Sequence, residues 1–124
     1  MGQYNAPLRD MHFVLHELLD VTNELKALPA HAEIDADTIN HILEEGAKFT
    51  SKVLFPLNQV GDIEGCKLDS ATHVVTTPTG FKEAYRQYRE GGWLGLAVDA
   101  EFGGQGLPYV VHTAVGEYFS SANM

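Results

Sequence analysis

A glycine-rich stretch near the carboxyl end constrains the fold of this chain more than any other feature. Between Gly91 and Pro108 the sequence holds six glycines, the chain's one tryptophan and a proline. Glycine favours tight turns because it adopts positive φ without steric cost, and proline interrupts the hydrogen bonding of a helix interior. The segments on both sides are typical of helices. The stretch therefore predicts a compact, irregular joint between two helices.

Periodic apolar residues predict a first helix from Leu8 to Leu28. Asn5 is the expected cap, Pro7 lies in the first turn, and Pro29 ends the element. Steps of three and four residues place a stripe on one helix face, as is typical of a helix that packs on a core. The stripe comprises Leu8, Met11, Leu15, Leu18, Val21 and Leu25.

A second helix is predicted to begin at Asp35, its N-cap. Ile34 and Ile39 flank this cap with the spacing of a hydrophobic staple. Pro56 is expected to stop or kink the helix near Phe55, because the residue before a proline is disfavoured in a helix. The predicted buried stripe is Ile39, Leu43, Ala47 or Gly46, Thr50, Leu54 and Leu57.

Two further helices follow a long connection. From Asn58 to Thr76 no clear period appears, which predicts an irregular loop with a short extended piece at Val74–Thr76. Thr77 is the expected cap of the third helix, with Pro78 at its first position and Gly91 as its left-handed C-terminal cap. The buried faces are predicted as Phe81, Ala84, Tyr85 and Tyr88, and, in a fourth helix opened by Pro108, as Val111, Ala114 or Val115, and Tyr118. These signals together predict an all-α fold, a small bundle of about four helices with one long irregular loop.

The charge balance narrows the range of partners. The chain has 17 acidic and 8 basic residues and a formal net charge of −9. Such a charge repels phosphate backbones and anionic bilayers, so neither nucleic acid nor membrane insertion is expected. No apolar run approaches the roughly 20 residues of a membrane span, and no secretory leader is recognisable. The sequence therefore predicts a cytoplasmic protein.

Cys66, the one cysteine, cannot form an internal disulfide, which agrees with a reducing compartment. The nearby Asp62, Glu64 and Asp69 disfavour a thiolate. We therefore expect a solvent-facing loop thiol and no nucleophile.

Two patterns invite a test as ligand sites. The segment Gly103–Gly106 fits neither the dinucleotide fingerprint nor the P-loop, so it is interpreted as a tight turn. His12 and His16 stand one helical turn apart, with Glu17 and Asp20 nearby, but no third ligand follows at a metal-binding spacing. An exposed helix face without a structural metal is expected there.

Trp93 has two readings from its position in a glycine-flanked turn. It could stack on a base or a flavin, or it could plug the junction between helices. The second role is favoured, because Trp93 follows the aromatic face of the third helix.

The stretch from Gly92 to Pro108 resembles the N-terminal domain of the acyl-CoA dehydrogenases. In that flavoenzyme family, a Gly-Trp-x-Gly-Leu turn, an acidic residue and Gly-Gly-x-Gly-Leu-Pro join two helices of the N-terminal helical domain. The matching residues are Gly92, Trp93, Gly95, Leu96, Glu101, Gly103, Gly104, Gly106, Leu107 and Pro108. At the other end, Tyr4-x-Ala6-Pro7-Leu8-Arg9-Asp10-Met11-x-Phe13-Val14-Leu15 resembles the start of a long bacterial subfamily that includes 3-methylmercaptopropionyl-CoA dehydrogenases.

The resemblance implies a FAD-dependent parent enzyme. In the family, a glutamate removes the α-proton of an acyl-CoA thioester while the β-hydride passes to N5 of FAD, and the electrons go on to a partner. The catalytic glutamate and most flavin contacts lie in other domains of these enzymes. The resemblance therefore assigns no catalytic, cofactor-binding or metal-ligating residue to this chain, and neither Glu101 nor Glu117 receives a catalytic role. It implies a homo-oligomeric parent and a chain that is by itself inactive and free of FAD.

The fourth helix reaches Met124 without a stop signal, so residues 1–124 are expected to be an N-terminal helical domain truncated within its last helix. In the parent this domain would form one wall of the acyl pocket, and Tyr118 and Phe119 either line that wall or serve ordinary packing. Two alternatives stay open: a fragment of an acyl-CoA oxidase, and a free-standing helical interaction module.

Overall fold

The structure is a computed structural model that describes residues 2–124. Its helices and strands confirm the predicted all-α class, because the sheet consists of only two short strands. The elements are α1 (Leu8–His12), α2 (Val21–Lys26), α3 (Ala36–Phe49), α4 (Phe55–Glu64), β1 (Lys67–Leu68), β2 (Val75–Thr76), α5 (Phe81–Glu90) and α6 (Tyr109–Ala122).

The first predicted helix is broken in the structure. Helix α1 leads into a π-helical turn, Phe13–Leu18, and the chain then bends at Asp20 before α2. Asp20 has a φ of +46°. Aspartate visits this left-handed conformation more readily than most residues because its short side chain can bond locally, and here Oδ2 accepts from Asn23 Nδ2 at 2.6 Å. The predicted continuous helix Leu8–Leu28 is therefore wrong, and Leu18 on its buried stripe is 65% exposed.

One of the two predicted N-terminal caps in this half is confirmed. Asp35 precedes α3, and its Oδ1 accepts a hydrogen bond from the Thr38 amide at 2.8 Å. The cap predicted at Asn5 is wrong, because α1 begins directly after Pro7 and has no side-chain cap. Pro29 opens a 3₁₀ turn rather than continuing α2, as predicted.

Helices α3 and α4 form one continuous rod. A π-helical turn, Thr50–Leu54, joins them, and the residues at both junctions keep right-handed helical angles. The helix was expected to stop or kink near Phe55. It does not stop there, because it continues past Pro56 to Glu64, but the π-helical turn that ends at Leu54 interrupts its regular hydrogen bonding. This turn ends two residues before Pro56. Proline has no amide hydrogen to donate, and its ring clashes with the carbonyl group of the preceding turn in a regular α-helix, so the wider turn makes room for it. The buried residues along the rod are Ile39, Leu43, Gly46 and Thr50.

The connection from Asn58 to Thr76 was predicted to be an irregular loop, but most of it has regular secondary structure. Its first residues belong to α4, and its remainder forms an antiparallel hairpin. The strand at Val75–Thr76 confirms the extended piece that was predicted at Val74–Thr76. The register pairs Lys67 with Thr76 and Leu68 with Val75. Asp69 shapes the turn, because its Oδ1 accepts from the amides of Ala71 and Thr72 at 2.8 and 3.0 Å. Such local bonds leave no periodic signal in the sequence.

Helix α5 has different ends from those predicted. It starts after Gly80, not at Thr77, because Gly80 adopts a φ of +87°. A side chain there would also strike Leu57, since an added Cβ would lie 2.7 Å from Leu57 Cδ2. At the other end Gly91 keeps a φ of −72°, and Gly92 takes the left-handed conformation with φ +77°. The predicted C-terminal cap was therefore one residue too early.

The core lies between α6, α3 and the first segment of the chain. Helix α6 begins after Pro108, as predicted, and it buries the predicted face. The central cluster consists of Leu15, Val21, Leu25, Ile39, Leu43, Leu96, Val111, Ala114, Val115 and Tyr118. Among residues 2–124, no helix has the length and hydrophobicity to cross a bilayer.

Candidate functional site

The glycine-rich segment folds back on itself through its own backbone. The amides of consecutive residues from Gly103 to Leu107 each donate to a main-chain carbonyl oxygen within the segment. Their acceptors are Ala100 (3.0 Å), Asp99 (3.1 Å), Gly95 (2.9 Å), Val98 (2.8 Å) and Leu96 (2.8 Å), in that order. A phosphate cradle needs several free amides that point at one anion. These five amides are already engaged, which supports the tight-turn interpretation.

Gly104 shows why this turn needs glycine. A Cβ built on Gly104 would lie 2.0 Å from the carbonyl oxygen of Val98. Nearby, Gln105 donates from Nε2 to the carbonyl oxygen of Gly92 at 3.0 Å and so ties the two ends of the segment together. The glycines near Gly92 and those near Gly104 therefore belong to one compact structure, which we call the glycine-rich turn.

The matched family residues fall into structural positions. Leu96 is 2% exposed, Pro108 is buried, and Leu107 packs on the core cluster. Glu101 is exposed on a 3₁₀ turn, Ala100–Phe102. These positions agree with the structural role that the resemblance implied.

An aromatic cluster lies beside the glycine-rich turn. Trp93 is partly buried and lies with its ring centroid 6.1 Å from that of Phe49 and 5.5 Å from that of Phe119. Tyr88 joins the cluster at 5.5 Å from Phe119. The cluster thus connects α3, α5 and α6, and it confirms that Trp93 fills a junction between helices. The aromatic residues contribute apolar burial and ring-edge contacts at this junction.

An apolar groove of about 340 Å³ opens next to the cluster. It runs between the π-helical turn before α4, helix α5 and the end of α6. Its lining residues are Leu54, Leu57, Phe81, Ala84, Tyr85, Tyr88, Phe119, Ser120, Asn123 and Met124. Ring faces and aliphatic side chains dominate this surface, so the groove suits an apolar group better than a charged one.

The structure separates the two residues that the sequence placed together as candidates for an acyl slot. Phe119 lines the apolar groove, whereas Tyr118 points into the core and is fully buried. Tyr85, which was predicted to be buried, is 58% exposed at the rim of the groove. Sequence reasoning missed Leu54 and Leu57 as groove residues because their stripe was assigned to the core. Only the packing of α5 leaves that part of the stripe open.

Tyr118 carries a polar group in an apolar place. Its hydroxyl is buried and has no hydrogen-bond partner among the described residues. Burial, with a smaller contribution from the Glu117 carboxylate, raises the pKa of Tyr118 to about 12. The phenol is therefore neutral at physiological pH and is not available as a base.

The histidine pair is part of the packing. His12 and His16 have ring centroids 5.9 Å apart, and both residues are partly buried, so the expected exposed face is wrong. The π-helical turn and the approach of α3 cover them, and His16 Nε2 lies 2.6 Å from Asn40 Oδ1. Within residues 2–124, no group of three or more His, Cys, Asp or Glu side chains has a metal-binding arrangement.

Cys66 follows α4 and precedes the hairpin. Its side chain is exposed, as predicted.

Comparison with known proteins finds two proteins that are similar to nearly the whole chain. No family model matches it. A 3-methylmercaptopropionyl-CoA dehydrogenase of Ruegeria pomeroyi is 40% identical over 121 residues, which is 98% of this chain and 20% of the relative. A broad-specificity linear acyl-CoA dehydrogenase of Mycobacterium tuberculosis is 30% identical over 126 residues, which is 99% of this chain and 20% of the relative. The chain thus spans about a fifth of the length of the curated relatives it matches. Over nearly its whole length, the chain is homologous to one segment of two proteins that are named acyl-CoA dehydrogenases.

Proposed function

We propose that the chain is the N-terminal helical domain of a FAD-dependent acyl-CoA dehydrogenase, which introduces a double bond between Cα and Cβ of an acyl-CoA thioester. The observation that carries this proposal is the similarity of almost the whole chain to two proteins named as acyl-CoA dehydrogenases. Cytoplasmic location, homo-oligomeric assembly and an electron-accepting partner stay predictions from the sequence.

The apolar groove is the part of the chain that we assign to the substrate. Burial of a methylene group contributes about 0.8 kcal/mol, so an alkyl chain gains from a surface of leucine and aromatic side chains. Phe119 and Tyr88 form the inner side of the groove, and Tyr85 stands at its rim. In the parent enzyme this groove would form one wall of the acyl pocket.

The chain itself does not fit the FAD pyrophosphate. The amides of the glycine-rich segment are engaged with backbone carbonyl oxygens, and the net charge of −9 opposes an anion at long range. We therefore assign no flavin contact and no catalytic residue to this chain. Flavin binding and proton abstraction belong to other parts of the proposed parent.

The proposal is tested by comparing the chain with its full-length parent. The parent should bind FAD, show flavin absorbance and reduce an artificial electron acceptor with at least one acyl-CoA from a panel of chain lengths. The chain alone should bind no FAD and should show no dehydrogenase activity. A parent without flavin or activity on the whole panel would contradict the proposal, as would a chain that retains flavin after gel filtration.

The assignment of the groove has its own test in the parent. Ala84 is 6% exposed and lines the groove, so Ala84→Leu should narrow it. We expect kcat/KM for long acyl chains to fall by about tenfold relative to short ones, the loss of about 1.4 kcal/mol of apolar contact. Tyr85→Ala should widen the rim and shift the same ratio in the opposite direction. Tyr109→Ala, at an exposed position outside the groove, is the matched control and should leave the ratio unchanged. An unchanged ratio in both groove variants would remove the groove from the acyl pocket.

The two alternatives have less support. Both named relatives are dehydrogenases, which favours that reaction over an acyl-CoA oxidase. A free-standing interaction module would account for the exposed apolar side chains but not for the similarity to enzymes. The reoxidation of the parent by molecular oxygen distinguishes an oxidase from a dehydrogenase.

A further inference from the structure

The first residues of the chain lie along the rod of α3 and α4. Residues 2–7 precede α1 and contain no helix or strand, and we call them the N-terminal strap. Towards the start of the rod's second helix, the Tyr4 ring lies with its centroid 5.9 Å from that of Phe55. Nearer to α1, Asn5 and Ala6 line a depression together with four residues of the rod, Glu44, Ala47, Lys48 and Ser51.

The inner end of the strap is held by the core. Ala6 and Leu8 are partly buried and pack on the central cluster. Pro7 has a φ of −77° and leads directly into α1. The proline ring restricts φ, so the strap has a fixed end at this position.

The outer end of the strap is held by one side chain. Gly2, Gln3 and Asn5 are exposed, whereas Tyr4 is partly buried. Within residues 2–124, the backbone of residues 2–5 forms no hydrogen bond. Terminal segments of this kind are poorly ordered unless they are tied down. The contact between Tyr4 and Phe55 is therefore the attachment of the outer end.

The ring and the hydroxyl group of Tyr4 act on this attachment with opposite signs. Contact with Phe55 buries apolar surface and favours the docked strap. The Tyr4 hydroxyl is shielded from solvent but makes no hydrogen bond to any residue between 2 and 124. Burial raises the pKa of Tyr4, despite an opposing contribution from the Ser121 hydroxyl of α6. A hydroxyl group that loses water without gaining a hydrogen bond disfavours the docked strap.

We propose that the N-terminal strap exchanges between a docked and a released position, with Tyr4 as its anchor and Pro7 as its fixed end. In the released position the Tyr4 hydroxyl regains its contact with water, and the Phe55 ring loses its cover. The strap is thus a detachable cover at the start of α4. The proposal goes beyond the proposed function and does not rest on it, because no substrate or cofactor takes part.

Nuclear magnetic resonance relaxation of the ¹⁵N-labelled chain tests the exchange. The order parameters of the Asn5 and Ala6 amides average over both positions of the strap. In the wild type they should lie between the rigid value of about 0.85 and the flexible range below about 0.6. The wild type should also show cross-peaks between the rings of Tyr4 and Phe55.

Two variants of the anchor separate the ring from the hydroxyl group. Tyr4→Phe keeps the ring and removes the unbonded hydroxyl, so the order parameters should rise towards about 0.85. Tyr4→Ala removes the ring, so they should fall below about 0.6. Gln3→Ala, at an exposed position of the strap, is the matched control and should leave the wild-type values unchanged. Each variant should keep its thermal melting transition, because the buried cluster contains no residue before Leu15.

Three outcomes would overturn the proposal. Lower order parameters in Tyr4→Phe would mean that the hydroxyl group holds the strap in place. Unchanged order parameters in Tyr4→Ala would mean that the ring is not the anchor. A wild-type strap that is as rigid as α3, or as disordered as the strap of Tyr4→Ala, would mean that only one position is populated.

Discussion

At the residue scale, the glycine-rich turn has no room for a side chain at Gly104. Its position is fixed from two sides, because its own amide donates to the Asp99 carbonyl oxygen and the amide of Gly106 donates to that of Val98. An alanine methyl group would overlap with the Val98 carbonyl group, so the backbone segments at Gly104 and Val98 would have to move apart.

We expect Gly104→Ala to lower the free energy of unfolding by about 2 to 3 kcal/mol, the upper part of the usual range for overpacking. Gly116→Ala is the matched control. An added Cβ at Gly116 in α6 would meet nothing within 4 Å, so alanine there should stabilise the helix by up to about 1 kcal/mol. Urea melts of both variants measure the difference, and equal effects would contradict the steric explanation.

Trp93 is the second residue with a testable role in stability. Its ring contacts the aromatic side chains of Phe49 and Phe119, but the residue is only partly buried. We expect Trp93→Ala to cost about 3 kcal/mol, the low end of the range for large aromatic residues in a core. Phe102→Ala, at a position that is 76% exposed, should change the stability by less than about 0.5 kcal/mol. A similar small loss in both variants would mean that Trp93 serves a ligand or a neighbouring domain.

At the element scale, the rod of α3 and α4 depends on its first cap and on its π-helical turn. The turn lets the helix continue through Pro56, so that the apolar groove and the hairpin are carried at the far end of the same rod that builds the core.

The N-terminal cap of this rod is a pH-dependent element. Hydrogen bonds from Thr38 hold the pKa of the Asp35 carboxyl group below its ordinary value. A lowered pKa in the folded state means that the stabilisation is fully present above the pKa of the unfolded chain and is lost as the pH falls through the folded pKa. Asp35→Ala should therefore lower the melting temperature at neutral pH, and its difference from the wild type should shrink at acidic pH.

Asp35→Asn separates the cap from its charge. Asparagine caps helices about as well as aspartate and does not titrate. The asparagine variant should melt close to the wild type at neutral pH and keep its advantage over Asp35→Ala on acidification. Circular dichroism melts across this pH range decide the point, and a gap between wild type and Asp35→Ala that does not depend on pH would contradict it.

At the scale of the whole molecule, large apolar side chains remain outside the core in several places. Phe13, Leu18, Leu19 and Leu28 are each at least half exposed, and they lie on the first third of the chain. Leu19 and Leu28 also line a shallow apolar depression with Val21 and Val110 near α2. Contiguous apolar surface of this kind is typical of an interface.

We expect the isolated chain to self-associate through this surface. Size-exclusion chromatography with light scattering should show dimers or larger species at high concentration. Leu19→Lys combined with Leu28→Lys should shift the chain towards the monomer, whereas Gln3→Lys combined with Gln59→Lys adds the same charge at exposed polar positions and should not. A monomer at all concentrations would count against the prediction.

The sequence by itself determined the features that arise from local chemistry. The all-α class, the cap at Asp35, the start of α6 after Pro108 and its buried face follow from periodicity, capping and the missing amide of proline. The glycine-rich joint could also be predicted, because no side chain fits the close backbone approach at Gly104 and glycine adopts the positive φ of Gly92 without steric cost.

Only the tertiary structure decided where these elements break and which apolar residues stay open. The bend at Asp20, the passage of the helix through Pro56 and the late start of α5 at Gly80 each depend on a neighbouring segment or a local bond that periodicity does not record. The apolar groove likewise could not be predicted from the sequence, because apolar stripes look alike whether a neighbour covers them or not. Leu54 and Ile39 belong to one predicted stripe. The packing of α6 on α3 buries Ile39, whereas Leu54 lines the apolar groove.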